Sequence, residues 1–141
     1  MLECIEHVAL SEDYLFSQIL AAKSADAPLV NAQREAQIVA RGTDRSRPAV
    51  APEMVRPRGA FSGLPEAVQH FQASRARTIQ FVKDNSQEDL RSRLTSFPPF
   101  GTINCHETLL LIAAHPLRHA MQIAEIKAAL ADCWINRDPS R

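Results

Sequence analysis

The longest helical period in the chain runs from about Asn104 to Cys133, and it limits the possible folds before any other feature does. Ile112, His115, His119, Ile123, Ile126 and Leu130 recur at three- and four-residue spacing, which places them along one face of a single helix. A helix of about 30 residues is roughly 45 Å long, so only other long helices laid lengthwise can cover such a face. Asn104 is a candidate N-cap with Glu107 three residues on, close to a capping-box pattern.

Two further segments have the same period. In residues 2–24, Ile5, Val8, Leu15, Phe16 and Ile19 share a face, the earliest acidic residues suit the positive end of the helix dipole, and Pro28 follows the end. In residues 65–84, Pro65 sits in the first turn and Leu64, Val68, Phe71, Ile79 and Val82 form the stripe. Arg75 interrupts that stripe, four residues from both Phe71 and Ile79. Two readings stand: a buried Arg75 needs an anionic partner, for which Glu12 in the first helix is the candidate, or Arg75 snorkels to solvent.

The remaining segments are connections. Residues 29–63 contain Pro48, Pro52, Pro57, Gly59 and Gly63, with a short helix expected around Asn31–Ala40. Residues 86–105 read as a connector with one turn near Gln87–Leu94, closed by Pro98, Pro99 and Gly101. Repeats and alternating strand-like runs are missing. The expected class is therefore all-α, an up-down helical bundle with a long Pro-rich connection. A chain of 141 residues fits one domain, here residues 1–135, followed by a polar tail at 136–141.

Charge and cysteine content exclude several functions. Lys plus Arg equals Asp plus Glu, 16 each, which argues against nucleic-acid or membrane-surface binding driven by bulk electrostatics. No apolar run approaches the roughly 20 residues of a membrane span. The acidic start MLECIEH does not read as a secretory signal. Cys4, Cys105 and Cys133 are odd in number and lack CxxC spacing, so a disulfide framework is not expected; they read as small buried apolar residues in a reducing cytoplasm. Between Gln33 and Arg58, Arg34, Arg41, Arg45, Arg47, Arg56 and Arg58 face only Glu35, Asp44 and Glu53. This segment is either a solvated loop or a basic rim that attracts an anionic substrate.

The chemistry-bearing segment is HPLRHAMQI, residues 115–123. On a helix, His115 and His119 share a face about 6 Å apart along the axis, a spacing that can grip one ion. Imidazole suits zinc, nickel, copper or iron. Such pairs are often incidental, but both histidines here replace apolar residues on a face that should be buried, where an unpaired imidazole leaves a polar atom unsatisfied. Between them Pro116 removes the N–H that would reach the carbonyl of Ile112 and kinks the helix.

The run ETLLLIAAHPLRHAMQIAEIK, residues 107–127, resembles the last helix of DinB/YfiT-like proteins, which carries a His-x-x-x-His pair. LECIEHV, residues 2–8, resembles the family's second helix, and residues 51–79 are similar to the loop and third helix of one of its branches. The resemblance covers nearly the whole chain. It implies one divalent transition metal (zinc, nickel or iron) held by His7, His115 and His119. His7 lies at the edge of its stripe, and its assignment rests on the resemblance alone. His70 and His106 have no counterpart in the ligand set and read as surface or capping histidines. Family members begin with a further helix, whereas Met1 here falls inside the turn that follows it. A misplaced gene start or a covering partner would account for this, and three stripes that one chain cannot cover make a homodimer the expectation.

Three histidines leave an open position on the ion, the mark of a catalytic site. The resemblance implies a thiol-dependent S-transferase using a low-molecular-weight thiol and a small electrophilic substrate, less readily a hydrolase. A non-catalytic metal-binding stress-response protein and a metal-free helical interaction module are the alternatives. No general acid or base is nominated; Tyr14 and Arg118 are only expected neighbours. Metal affinity is expected to fall as pH drops through about 6.5.

Overall fold

The structure, a computed structural model, describes residues 1–46 and 50–135. Arg47, Pro48 and the 136–141 tail lie outside the described residues, as does the side chain of Cys133. The elements in chain order are α1 (Leu2–Leu20), β1 (Lys23–Ser24), α2 (Ala32–Thr43), a 3-10 turn (Glu53–Val55), α3 (Leu64–Asp84), α4 (Gln87–Arg91), β2 (Arg93–Phe97), β3 (Gly101–Asn104) and α5 (Cys105–Ile135). The all-α expectation holds in its main architecture, with one small sheet added.

The helices run up, down, up, down. Ile19 at the end of α1 accepts a bond from Cys105 at the start of α5, and His7 meets His115, so α1 and α5 are antiparallel. Along α3, Ser74 meets Asp13 and Phe81 meets Phe16, so α1 and α3 are parallel. α2 runs beside α5, from Arg34 at Glu107 to Arg45 at Glu125. A Cβ at Gly42 would stand 2.7 Å from that of Ala114, so α2 approaches α5 this closely only through glycine. The resulting order is α3, α1, α5, α2: an open array rather than a closed bundle. The apolar core lies at one end, where Phe16, Ile19, Ile38, Leu90, Ile103 and Ile112 pack together.

Two sequence expectations need correction. Helix α1 stops at Leu20, not near residue 24, because Lys23 and Ser24 pair with Leu94 and Arg93 of β2. The 86–105 connector contains a hairpin in which Leu94 faces Asn104 and Phe97 faces Gly101. Pro98 and Pro99 do not end the structure there; they form the turn, with the Phe100 N–H on the Phe97 carbonyl at 2.8 Å and Gly101 at φ 70°. Strands this short show too little alternation to be read from sequence.

Buried charges lock the helices together. Asn104 and Glu107 form the expected reciprocal cap at 2.8 and 2.9 Å, and the buried Glu107 also takes both arms of Arg34 at 2.6 and 2.8 Å. Of the two readings of Arg75, the paired one is correct: it contacts the buried Glu12 at 2.9 Å. Its Nη2 also donates to the Ile112 carbonyl at 3.0 Å, the acceptor that Pro116 leaves without its helical partner. Among the described residues, no helix is long and apolar enough to cross a membrane.

Candidate metal centre

The antiparallel pairing of α1 with α5 that begins at Ile19 and Cys105 brings His7 opposite His115 and His119. All three imidazoles are half-buried and converge. The Nε2 atoms of His7 and His115 are 3.2 Å apart, and those of His115 and His119 are 3.0 Å apart. The rings meet edge to face, with centroids 4.6 to 5.0 Å apart. Around a tetrahedral ion with bonds of about 2.0–2.1 Å, neighbouring nitrogens stand about 3.3 Å apart. The His7–His115 and His115–His119 pairs are already near that spacing, and all three ligand atoms lie within 4.8 Å of one another.

The outer nitrogens fix which lone pairs face inward. His7 Nδ1 donates to the Val55 carbonyl at 2.8 Å, and His119 Nδ1 donates to Gln122 Oε1 at 3.0 Å. Each bond requires the proton on Nδ1 and leaves Nε2 bare. Only His115 can then supply an N–H to the centre, shared between two lone pairs. A cation would satisfy all three acceptors at once. The donor set therefore fits a divalent ion of the zinc, nickel or iron type.

Electrostatics keep the nitrogens available. Burial, followed by the neighbouring charges of His119, His7 and Arg118, holds His115 down to about 3. Burial and the charge of His7, with Arg118 and Arg45 adding to them, hold His119 at about 4. Proton competition at these two ligands therefore sets in well below the 6.5 expected from free histidine.

The other nominated residues are placed elsewhere. Tyr14 packs against the apolar core about two helical turns from His7. Arg118 does act on the site, through its charge on His115 and His119. His70 binds Asp13 at 2.6 Å, and His106 faces Glu35 at 3.8 Å; neither joins the cluster. Of the described arginines of the basic segment, Arg34, Arg45 and Arg56 pair with Glu107, Glu125 and Glu53, and Arg41 lies over the Phe100 ring. Sequence reasoning missed Val55, Gln122 and Glu6. Gln122 follows His119 by three residues, a helical contact that spacing could have nominated. Val55 acts through a loop carbonyl that no pattern marks.

A family model of the DinB superfamily matches residues 1–123, a span that contains all three histidines. The chain belongs to the DinB superfamily. Comparison with curated proteins and with solved structures finds no match. Within this DinB-superfamily chain, the described residues contain one cluster of three or more side chains that could hold a metal ion, His7, His115 and His119.

Proposed function

We propose that this DinB-superfamily protein holds one divalent transition metal on His7, His115 and His119 and is an enzyme that joins a low-molecular-weight thiol, through its sulfur and with loss of the thiol proton, to a small electrophile. The supporting observation is the convergence of three Nε2 atoms whose two outer neighbours, Val55 and Gln122, orient the rings. A divalent ion there would supply Lewis acidity, lowering the pKa of a thiol or water that joins it. The chain's own part is to orient three imidazole donors; three protein ligands would leave a position on the ion for a thiol or water. The free Cys4 and Cys105 suit a reducing cytoplasm.

One observation favours a second reading, metal binding without turnover. The two grooves between α3 and α5, lined by residues such as Ile79, Val82 and Leu109, include none of the three histidines. Cobalt-loaded protein decides between them. The enzyme reading expects a strong sulfur-to-cobalt absorption on adding a small thiol, and metal-dependent consumption of that thiol with an activated alkene. An unchanged spectrum and no turnover would leave only the second reading.

A homodimer belongs to the same proposal. Ile79 and Val82 on the α3 side of the groove are 48% and 43% exposed, and Leu117 and Met121 continue the apolar surface along α5 at 56% and 48%. An open array with such a face is expected to bury it against a second copy. Sedimentation at micromolar concentration should show a dimer, and Val82→Glu should shift it to monomer. A wild-type monomer would refute the dimer.

A further inference from the structure

Glu6 directly precedes His7 on α1 and is 1% exposed. A carboxylate this deeply buried needs compensation; the charge of Arg58 contributes, but less than the backbone of the 58–60 loop. Its Oε1 accepts the backbone N–H groups of Arg58 at 2.8 Å and Ala60 at 2.9 Å. Gly59, between them at φ 72°, curls both donors onto one oxygen. Nothing lies within 4 Å of where its Cβ would stand, so conformation rather than space requires glycine there. Upstream in the same loop, the buried Val55 offers its carbonyl to His7 Nδ1. Residues 56–60 are otherwise exposed. Neighbouring residues of α1 thus grip the two ends of one loop: Glu6 holds Arg58–Ala60, and His7 holds Val55.

We propose that Glu6 is a positioning residue of the metal centre, clamping the 55–60 loop so that the Val55 carbonyl stays on His7 Nδ1 and keeps the His7 Nε2 lone pair facing the ion. This rests on the metal site proposed above and goes beyond it: the loop and the ion become coupled. Whatever loosens the loop weakens the metal, and by reciprocity the metal tightens the loop. Glu6 touches neither ion nor substrate.

The test compares wild type with Glu6→Gln, Glu6→Ala and Gly59→Ala. Zinc affinity is read by competition with a chromophoric chelator, the His7 tautomer by ¹⁵N shifts of the metal-free protein, and loop order by amide exchange at Arg58 and Ala60 with and without zinc. Glu6→Ala and Gly59→Ala are expected to weaken zinc by roughly ten- to a hundredfold, the usual effect of losing an outer-shell partner. Glu6→Gln keeps an acceptor oxygen and should retain most of the affinity. His7 alone should lose its Nδ1–H signature in Glu6→Ala, and zinc should slow exchange at Arg58 and Ala60 in wild type. Should Glu6→Ala fail to fold, Gly59→Ala and the wild-type exchange data decide. If wild type binds zinc, the variants bind it equally well and exchange at Arg58 and Ala60 ignores zinc, the positioning role is wrong while the metal site stands. If wild type binds no zinc, the site itself fails and Glu6 has nothing to position.

Discussion

Arg75→Met is expected to destabilise the fold by about 3 kcal/mol, the lower end of the range for stranding a buried charge, because 26% of the Arg75 side chain remains exposed. Two acceptors lose their donor together. Glu12, 2% exposed, keeps only Thr78 among its present donors. The Ile112 carbonyl has no helical N–H to return to, because Pro116 occupies that position. Burial already raises the Glu12 pKa despite bonds from Thr78 and Arg75. Without Arg75 that pKa rises further, the native state then takes up a proton more readily than the unfolded chain, and the deficit shrinks as pH is lowered. Chemical denaturation checks this. Adding Glu12→Gln should recover most of the loss, and adding Pro116→Ala about 1 kcal/mol by restoring the backbone donor. A loss within experimental error for Arg75→Met would mean that the pair does not hold α1, α3 and α5 together.

The second large effect is on metal binding. His119→Ala leaves two protein ligands and is expected to abolish most binding, whereas His70→Ala and His106→Ala, whose side chains face Asp13 and Glu35, should leave metal content unchanged. At a hundredfold excess over its dissociation constant, the ion should add about 2.7 kcal/mol, or roughly 5 to 10 °C in Tm. A chelator should remove that increment from wild type and leave His119→Ala unaffected. The pH dependence follows from His115 at about 3 and His119 at about 4. In the unfolded chain these groups titrate near 6.5. Between those limits the unfolded state binds more protons than the native state, so the metal-free protein loses stability as pH falls below about 6.5. Competition for the metal at these two ligands begins nearer pH 4. Melting curves with and without zinc across this range check both statements: metal-free stability that does not change between pH 6.5 and 4 would contradict the first, and a chelator with no effect on wild-type Tm would contradict the second.

The three long helices were legible because Val8, Leu15 and Ile19, or Ile112 and Ile123, repeat with the helical period over several turns. The Asn104–Glu107 cap was legible from its three-residue spacing; for Arg75 on its apolar stripe the sequence offered two readings, pairing with Glu12 or snorkelling to solvent, and did not decide between them. His115 and His119 stood out as polar residues on an apolar stripe. His7 did not, since its position at the centre depends on how α1 lies against α5, and only resemblance nominated it. The hairpin escaped because β2 is only five residues long and β3 four, and because Pro98–Pro99 reads equally as turn or terminator. Glu6 looked like an ordinary acidic residue in a helix's first turns. The role proposed for it rests on backbone N–H groups more than 50 residues away, which side-chain patterns do not encode.

X-ray absorption at the zinc edge, on tag-free protein loaded with one equivalent and freed of excess, tests the central assignment most directly. The three-histidine site predicts three imidazole nitrogens at about 2.0–2.1 Å, with the remaining ligand a light atom, and fewer imidazoles or no retained zinc in His119→Ala. A sulfur shell from cysteine, an imidazole count unchanged by His119→Ala, or failure of the wild type to retain zinc would contradict it.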